Sequence, residues 1–140
     1  MPAGKGFPSW RDLDNPELAR QFNWPLEGIC FDIKQNAFWP HEWGVRPPMI
    51  EDAFAIARAQ VAAAPKLIPV SGHRYLPDRP PAPGNPVFSV YQTDIIYYGG
   101  DLENYLCNEY HYYFGTPQYV ALPSQIRSIE FWSWLVELNA

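Results

Sequence analysis

Cysteine is scarce in this sequence: there are two, Cys30 and Cys107. Neither has a Cys or His neighbour at structural-zinc spacing. Cys30 lies in an apolar, strand-like run and Cys107 in a helix-like one, so both are expected as free thiols, which suits a reducing cytoplasm. Histidine is nearly as scarce, with His41, His73 and His111. His41-Glu42 lacks the second histidine of the helical zinc motif, and no metal or other cofactor is expected. Basic residues number ten against fifteen acidic ones, for a formal net charge of −5. They are scattered, and phosphate binding needs clustered cations, so nucleic acid is not the expected partner. The acidic balance serves solubility first and attraction of a basic protein second. No apolar run approaches the ~20 residues that cross a bilayer. Residues 1–10 are Gly/Pro-rich and lack the apolar stretch of a secretory signal. A cytoplasmic protein with no membrane partner is therefore expected. No repeat or linker divides the chain, and 140 residues suit a single domain, 1–140.

Two residue classes are abundant instead. Aromatic residues make up 16% of the chain, and it has 16 prolines, roughly twice the usual ~5% share. Proline implies short elements with fixed connections. The aromatic excess implies a core of large side chains, an adhesive face, or both.

Along the chain, Asn15 and Pro16 suit the cap and first position of a short helix over 16–22, ended at Trp24-Pro25. Ile29, Phe31 and Ile33 then alternate as in a strand. Residues 34–48 form an irregular, tryptophan-bearing loop. A helix over 49–64 follows, with Ile50, Ala53, Phe54, Ala57, Val61 and Ala64 on one face. Strands are expected over 67–70, 73–76, 87–91 and 95–98. Gly72 and Thr93-Asp94 mark tight turns, and a proline-rich loop spans 78–86. Asp101 caps a helix whose face carries Leu102, Tyr105, Leu106, Tyr110 and Tyr113. Ser124 or Ser128 caps a final helix over 126–138 that is apolar nearly all round. Connections this short exclude parallel crossovers. The fold class is α+β, an antiparallel central sheet of four to six strands with flanking helices.

Catalytic motifs are few. Gly99-Gly100 is a lone pair, and Asp101 would repel an anion at the following helix N-terminus. Ser71-Gly72-His73 lacks a nucleophile elbow around it. His73, Arg74, Tyr75 and Asp94 lie at strand ends that a sheet could bring together. They make either a structural polar cluster or, less commonly, a general acid/base pair. Trp39 and Trp43 either cover the core or anchor a partner, and core cover is the commoner role.

The phrases LIPVSGHRYLP at 67–77 and GNPVFSVYQTDIIYYGGDLENYLCNEY at 84–110 resemble bacterial members of the SUKH superfamily. The resemblance extends more weakly over residues 7–112. It implies an α+β fold with a central antiparallel sheet and no catalytic residues. It also implies an immunity-type role, binding and neutralising a toxin delivered between competing cells. Related chains carry a further N-terminal helical segment, and the aromatic run at 126–138 lies outside the pattern.

The expected function is a protein-binding module, not an enzyme. Candidate contact residues are Trp39, Trp43, Tyr97, Tyr98, Trp132 and Trp134, with a toxin as candidate partner. The final helix either completes the core or makes a homodimer. The alternative is a small-ligand binder or small enzyme centred on His73, Arg74, Tyr75 and Asp94.

Overall fold

The computed structural model describes residues 15–110 and 125–139. The expected helix at Tyr113 and the cap at Ser124 lie outside them.

Helix α1 spans Pro16–Gln35. Asn15 caps it, its Oδ1 accepting the Glu17 N–H at 2.8 Å. This single helix replaces the expected short helix and strand. Leu18, Pro25, Ile29 and Ile33 are buried at helical spacing, while Phe31, which the alternation placed inside, is 48% exposed. Pro25 is the reason a break was expected. Its ring nitrogen cannot donate to the carbonyl of Gln21, one turn back. The Tyr75 hydroxyl, from the sheet, donates to that carbonyl at 2.6 Å. The helix continues because a distant side chain satisfies the group the proline orphaned.

A 3-10 turn at His41–Trp43 leads to α2, Ile50–Ala63. Its buried alanines, Ala53 and Ala57, let it lie close against α1, with Phe54 and Val61 packed beside them. Four strands follow: β1 Leu67–Ser71, β2 Arg74–Pro77, β3 Val87–Tyr91 and β4 Asp94–Gly99. They form one antiparallel sheet in chain order. Two-residue turns join β1 to β2 and β3 to β4. The first residue of each turn has positive φ, 53° at Gly72 and 56° at Gln92. Helix α3, Leu102–Glu109, starts at Asp101, whose carboxylate accepts the Asn104 N–H at 2.8 Å.

Helix α4, Trp132–Leu138, is shorter than expected. Phe131 has φ 70°, which turns the chain just before the helix, and residues 125–129 have no regular structure. Ser128 does not cap it. Ser133 Oγ instead reaches back to accept the Ile129 N–H at 2.7 Å.

Strand alternation sorts the core into two. Tyr75, Phe88, Val90 and Ile95 face α1, α2 and α4 and meet Ile29, Ile33, Trp132 and Leu135. Val70, Val87, Leu76 and Tyr98 face the other way, toward Tyr105 of α3. The final helix thus completes the main core. Trp132 is 1% exposed, and its indole N–H donates to Pro65 O at 2.7 Å.

The β3–β4 turn is pinned from two sides. Asp32 of α1 is buried. Its Oδ2 accepts the Thr93 N–H at 2.9 Å and the Thr93 hydroxyl at 2.6 Å, and its Oδ1 accepts from Asn36 Nδ2 at 2.6 Å. Asn139, after α4, donates to Thr93 O and to Leu135 O. Helix α1 passes over this turn at Gly28, where a Cβ would come within 2.6 Å of the Gln92 Cα. Glycine is required there by the close approach.

Candidate functional site

Two exposed regions gather functional side chains. The first is built by the loop between α1 and α2. Trp39 Nε1 donates to Gly44 O at 2.8 Å, which folds the loop on itself around the His41–Trp43 turn. Trp43 then becomes the hub of an aromatic group. Trp39 meets it edge-on at 5.2 Å between centroids and Phe38 at 6.0 Å. Trp134 of α4 lies 6.4 Å from it, and Phe131 lies 5.7 Å from Trp134. All five rings are half-buried. Their inner edges pack on the core, and their outer edges remain in solvent beside the exposed Val45 and Met49. The loop therefore both covers the core and presents rigid aromatic surface.

Of the six residues expected to contact a partner, Trp39, Trp43 and Trp134 share this patch. Trp132 does not reach the surface. Tyr97 is on the core side of the sheet, its hydroxyl donating to Ser133 Oγ at 2.8 Å. Tyr98 is on the opposite side, under the Arg74 guanidinium at 3.7 Å.

The second region is the end of the sheet near the β1–β2 turn. Here an open cleft of about 430 Å³ is lined by Glu17, Arg20, Gln21, Trp24, His73 and Tyr75, with Gly72 at its lip. His73 stacks on Trp24 at 4.9 Å between centroids with 20° between planes, and Tyr91 stands edge-on to both. The indole N–H of Trp24 donates to Val90 O at 2.8 Å, fixing the platform. Arg20 and Glu17 form an exposed ion pair at 2.6 Å. Among the described residues Gln21 Oε1 is buried without a hydrogen-bond partner.

The four-residue polar cluster expected from the sequence does not converge. Arg74 and Tyr75 are neighbours on one strand and point to opposite faces. Tyr75 reaches α1, and burial raises the pKa of its hydroxyl. Arg74 lies across the other face, with Nη1 donating to Ser89 Oγ at 3.0 Å and Nε buried without a partner. His73 is in the turn, and Asp94 is exposed beyond β3. Among the described residues no hydrogen bond or ion pair joins Asp94 to His73, Arg74 or Tyr75. Ser71 and His73 are also parted, since the Ser71 Oγ accepts from the Tyr110 hydroxyl at 3.2 Å on the α3 side. The Tyr105 hydroxyl sits beside both without closing a well-directed bond; burial, then the Glu109 carboxylate, raises its pKa.

Cys30 and Cys107 form no disulfide, and burial raises the pKa of Cys30. Among the described residues no group of three or more His, Cys, Asp or Glu side chains comes together, and no helix is long and apolar enough to cross a membrane. Asp32 and Trp24 were not singled out from the sequence. A signal existed for Asp32: it is the one acidic residue in the apolar run at 28–33, and such a residue needs donors when buried.

Comparison of the chain with family models, curated proteins and solved structures returns no match. The resemblance to the SUKH superfamily rests on the sequence phrases at 67–77 and 84–110.

Proposed function

We propose that this protein is a protein-binding module of the immunity type, which neutralises a toxin by occluding it. The observation that carries the reading is the patch of Trp39, Trp43 and Trp134 with Phe38 and Phe131, held half in solvent by its own hydrogen bond and ring contacts. Rigid tryptophans at a surface lose little conformational entropy on binding and supply much of the energy at protein interfaces. The chain's net charge of −5 suits a basic partner such as a nuclease. The test is co-expression with the product of each neighbouring toxin-like gene in a growth assay. Rescue of growth is expected from one pairing. Trp39→Ser with Trp134→Ser should abolish it while the melting temperature stays within a few degrees. Rescue that survives this double change would remove the patch from the interface, and no rescue by any pairing would remove the immunity role.

The cleft at Trp24 and His73 supports a second reading, a small-ligand site, because Gln21 Oε1 is a buried acceptor still without a donor. A fragment screen read by amide shifts at Gly72 and His73 tests it. Hits confined to other surfaces would exclude it.

A further inference from the structure

A groove between α1 and α2 carries charge opposite to that of the chain as a whole. Its accessible apolar lining is Phe22 and Leu26 of α1 and Val61 of α2, above the almost wholly buried Trp132 and Leu67. It encloses about 290 Å³, room for one or two large apolar side chains. Arg58 and Lys66 are the charged residues of its lining, and no Asp or Glu joins them, although the chain carries −5 overall. Lys66 is held in place. Its ammonium sits 4.6 Å from the centroid of the Phe22 ring, and its backbone N–H donates to Asp78 Oδ1 at 2.8 Å. That carboxylate also lies 3.8 Å from Arg79. Among the described residues neither Arg58 nor Lys66 enters an ion pair. Glu27 shares the surroundings of Cys30 with Arg58 but stands outside the groove lining.

An apolar groove flanked by two cations selects its ligand from both sides. A basic segment is repelled, and a purely apolar one strips water from the cations and returns nothing. A ligand with an apolar side chain flanked by carboxylates satisfies groove and rim together. We propose that this groove docks an acidic segment of a partner protein, with one leucine-like side chain seated among Phe22, Leu26 and Val61 and its flanking carboxylates on Arg58 and Lys66. A protein segment fits better than a fatty acid, because carboxylates on both sides of one apolar side chain answer both rim cations, whereas a single lipid headgroup answers one. The site is separate from the Trp39–Trp134 patch, and it stands or falls independently of the immunity reading.

The probe is a fluorescein-labelled peptide with a single leucine flanked by glutamates, followed by anisotropy at low salt. Its counterpart carries lysines in place of the glutamates. Binding of the glutamate peptide is expected, weakening as salt rises. Arg58→Glu should weaken it about tenfold, through loss and reversal of a rim charge. Ala62→Trp, at an exposed position on the groove wall, should block it by filling the space. Melting curves of both variants verify that they fold. Equal binding of the lysine peptide, indifference to both substitutions, or no binding at millimolar peptide would overturn the proposal. So would binding of laurate in preference to the peptide.

Discussion

The two faces of the sheet treat buried polar groups differently. On the side of α1, α2 and α4 nearly every one lands on a partner: Tyr75 on Gln21 O, Trp24 on Val90 O, Trp132 on Pro65 O and Asp32 on Thr93, with Gln21 Oε1 an exception among the described residues. On the α3 side Ser71, Arg74, Ser89 and Ile96 form a row across the four strands; among the described residues Arg74 Nε is buried without a partner and the Tyr105 hydroxyl is buried beside Ser71 and Tyr110 without a well-directed bond. The first face specifies the fold, because each of its bonds ties together segments far apart in sequence. The second tolerates looser polar matching, and its substitutions should cost less.

The largest break is Trp132→Ala, which empties the centre of the first face. It should destabilise by about 3–5 kcal/mol, read from urea unfolding, whereas Trp134→Ala at the half-buried patch should cost well under half of that. Asp32→Ala comes next. It leaves the Thr93 N–H and hydroxyl without their acceptor and should cost about 2–3 kcal/mol. Tyr75→Phe strands the Gln21 carbonyl and should cost about 1–2 kcal/mol. Pro25→Ala restores the N–H that the helix lacks there, so adding it to Tyr75→Phe should return part of the loss. A strictly additive double-mutant cycle would break the link between the proline and the tyrosine.

Alkaline titration samples both faces together. Burial holds Tyr75 above its ordinary pKa of 10.0, and burial with Glu109 does the same for Tyr105. Above pH ~10 the unfolded chain releases these protons and the native state keeps them, so stability falls as pH rises through that range and is unaffected by these groups below pH ~9. Phenolate absorbance should show part of the tyrosine ionisation, that of Tyr75 and Tyr105, arriving only as the protein unfolds. The smallest effect is expected from Arg74→Met. It gives up the contact with Tyr98 and the hydrogen bond to Ser89 but also removes a buried nitrogen with no partner among the described residues, and stability should change by about 1 kcal/mol or less.

The sheet was legible in the sequence because its signals are local. Alternation over 87–91 and 95–98, with a turn between them, fixes a hairpin with no reference to the rest of the chain, and Asp101 caps its helix within one turn. Helix α1 was not legible. Pro25 ends a helix unless something replaces its hydrogen bond, and the replacement comes from Tyr75, fifty residues away. The start of α4 failed similarly, since no local rule foretells positive φ at Phe131. Strand alternation did hold the information that Arg74 and Tyr75 face apart. What it lacked was the position of Trp24, which draws His73 away from both.

Asn139 fastens the β3–β4 turn from the far end of the described chain, and Ile129, Trp132 and Leu135 plug the core just before it. During synthesis this has a temporal consequence. Residues 15–110 are made first, and the slot for Trp132 remains open until residues 129–139 follow. At ~5–20 residues per second, the 29 residues from 110 to 139 take roughly 1.5–6 s. For that interval the nascent chain exposes Ile29, Ile33 and Ile95 without their cover, and chaperones that hold apolar surface have their best claim on it.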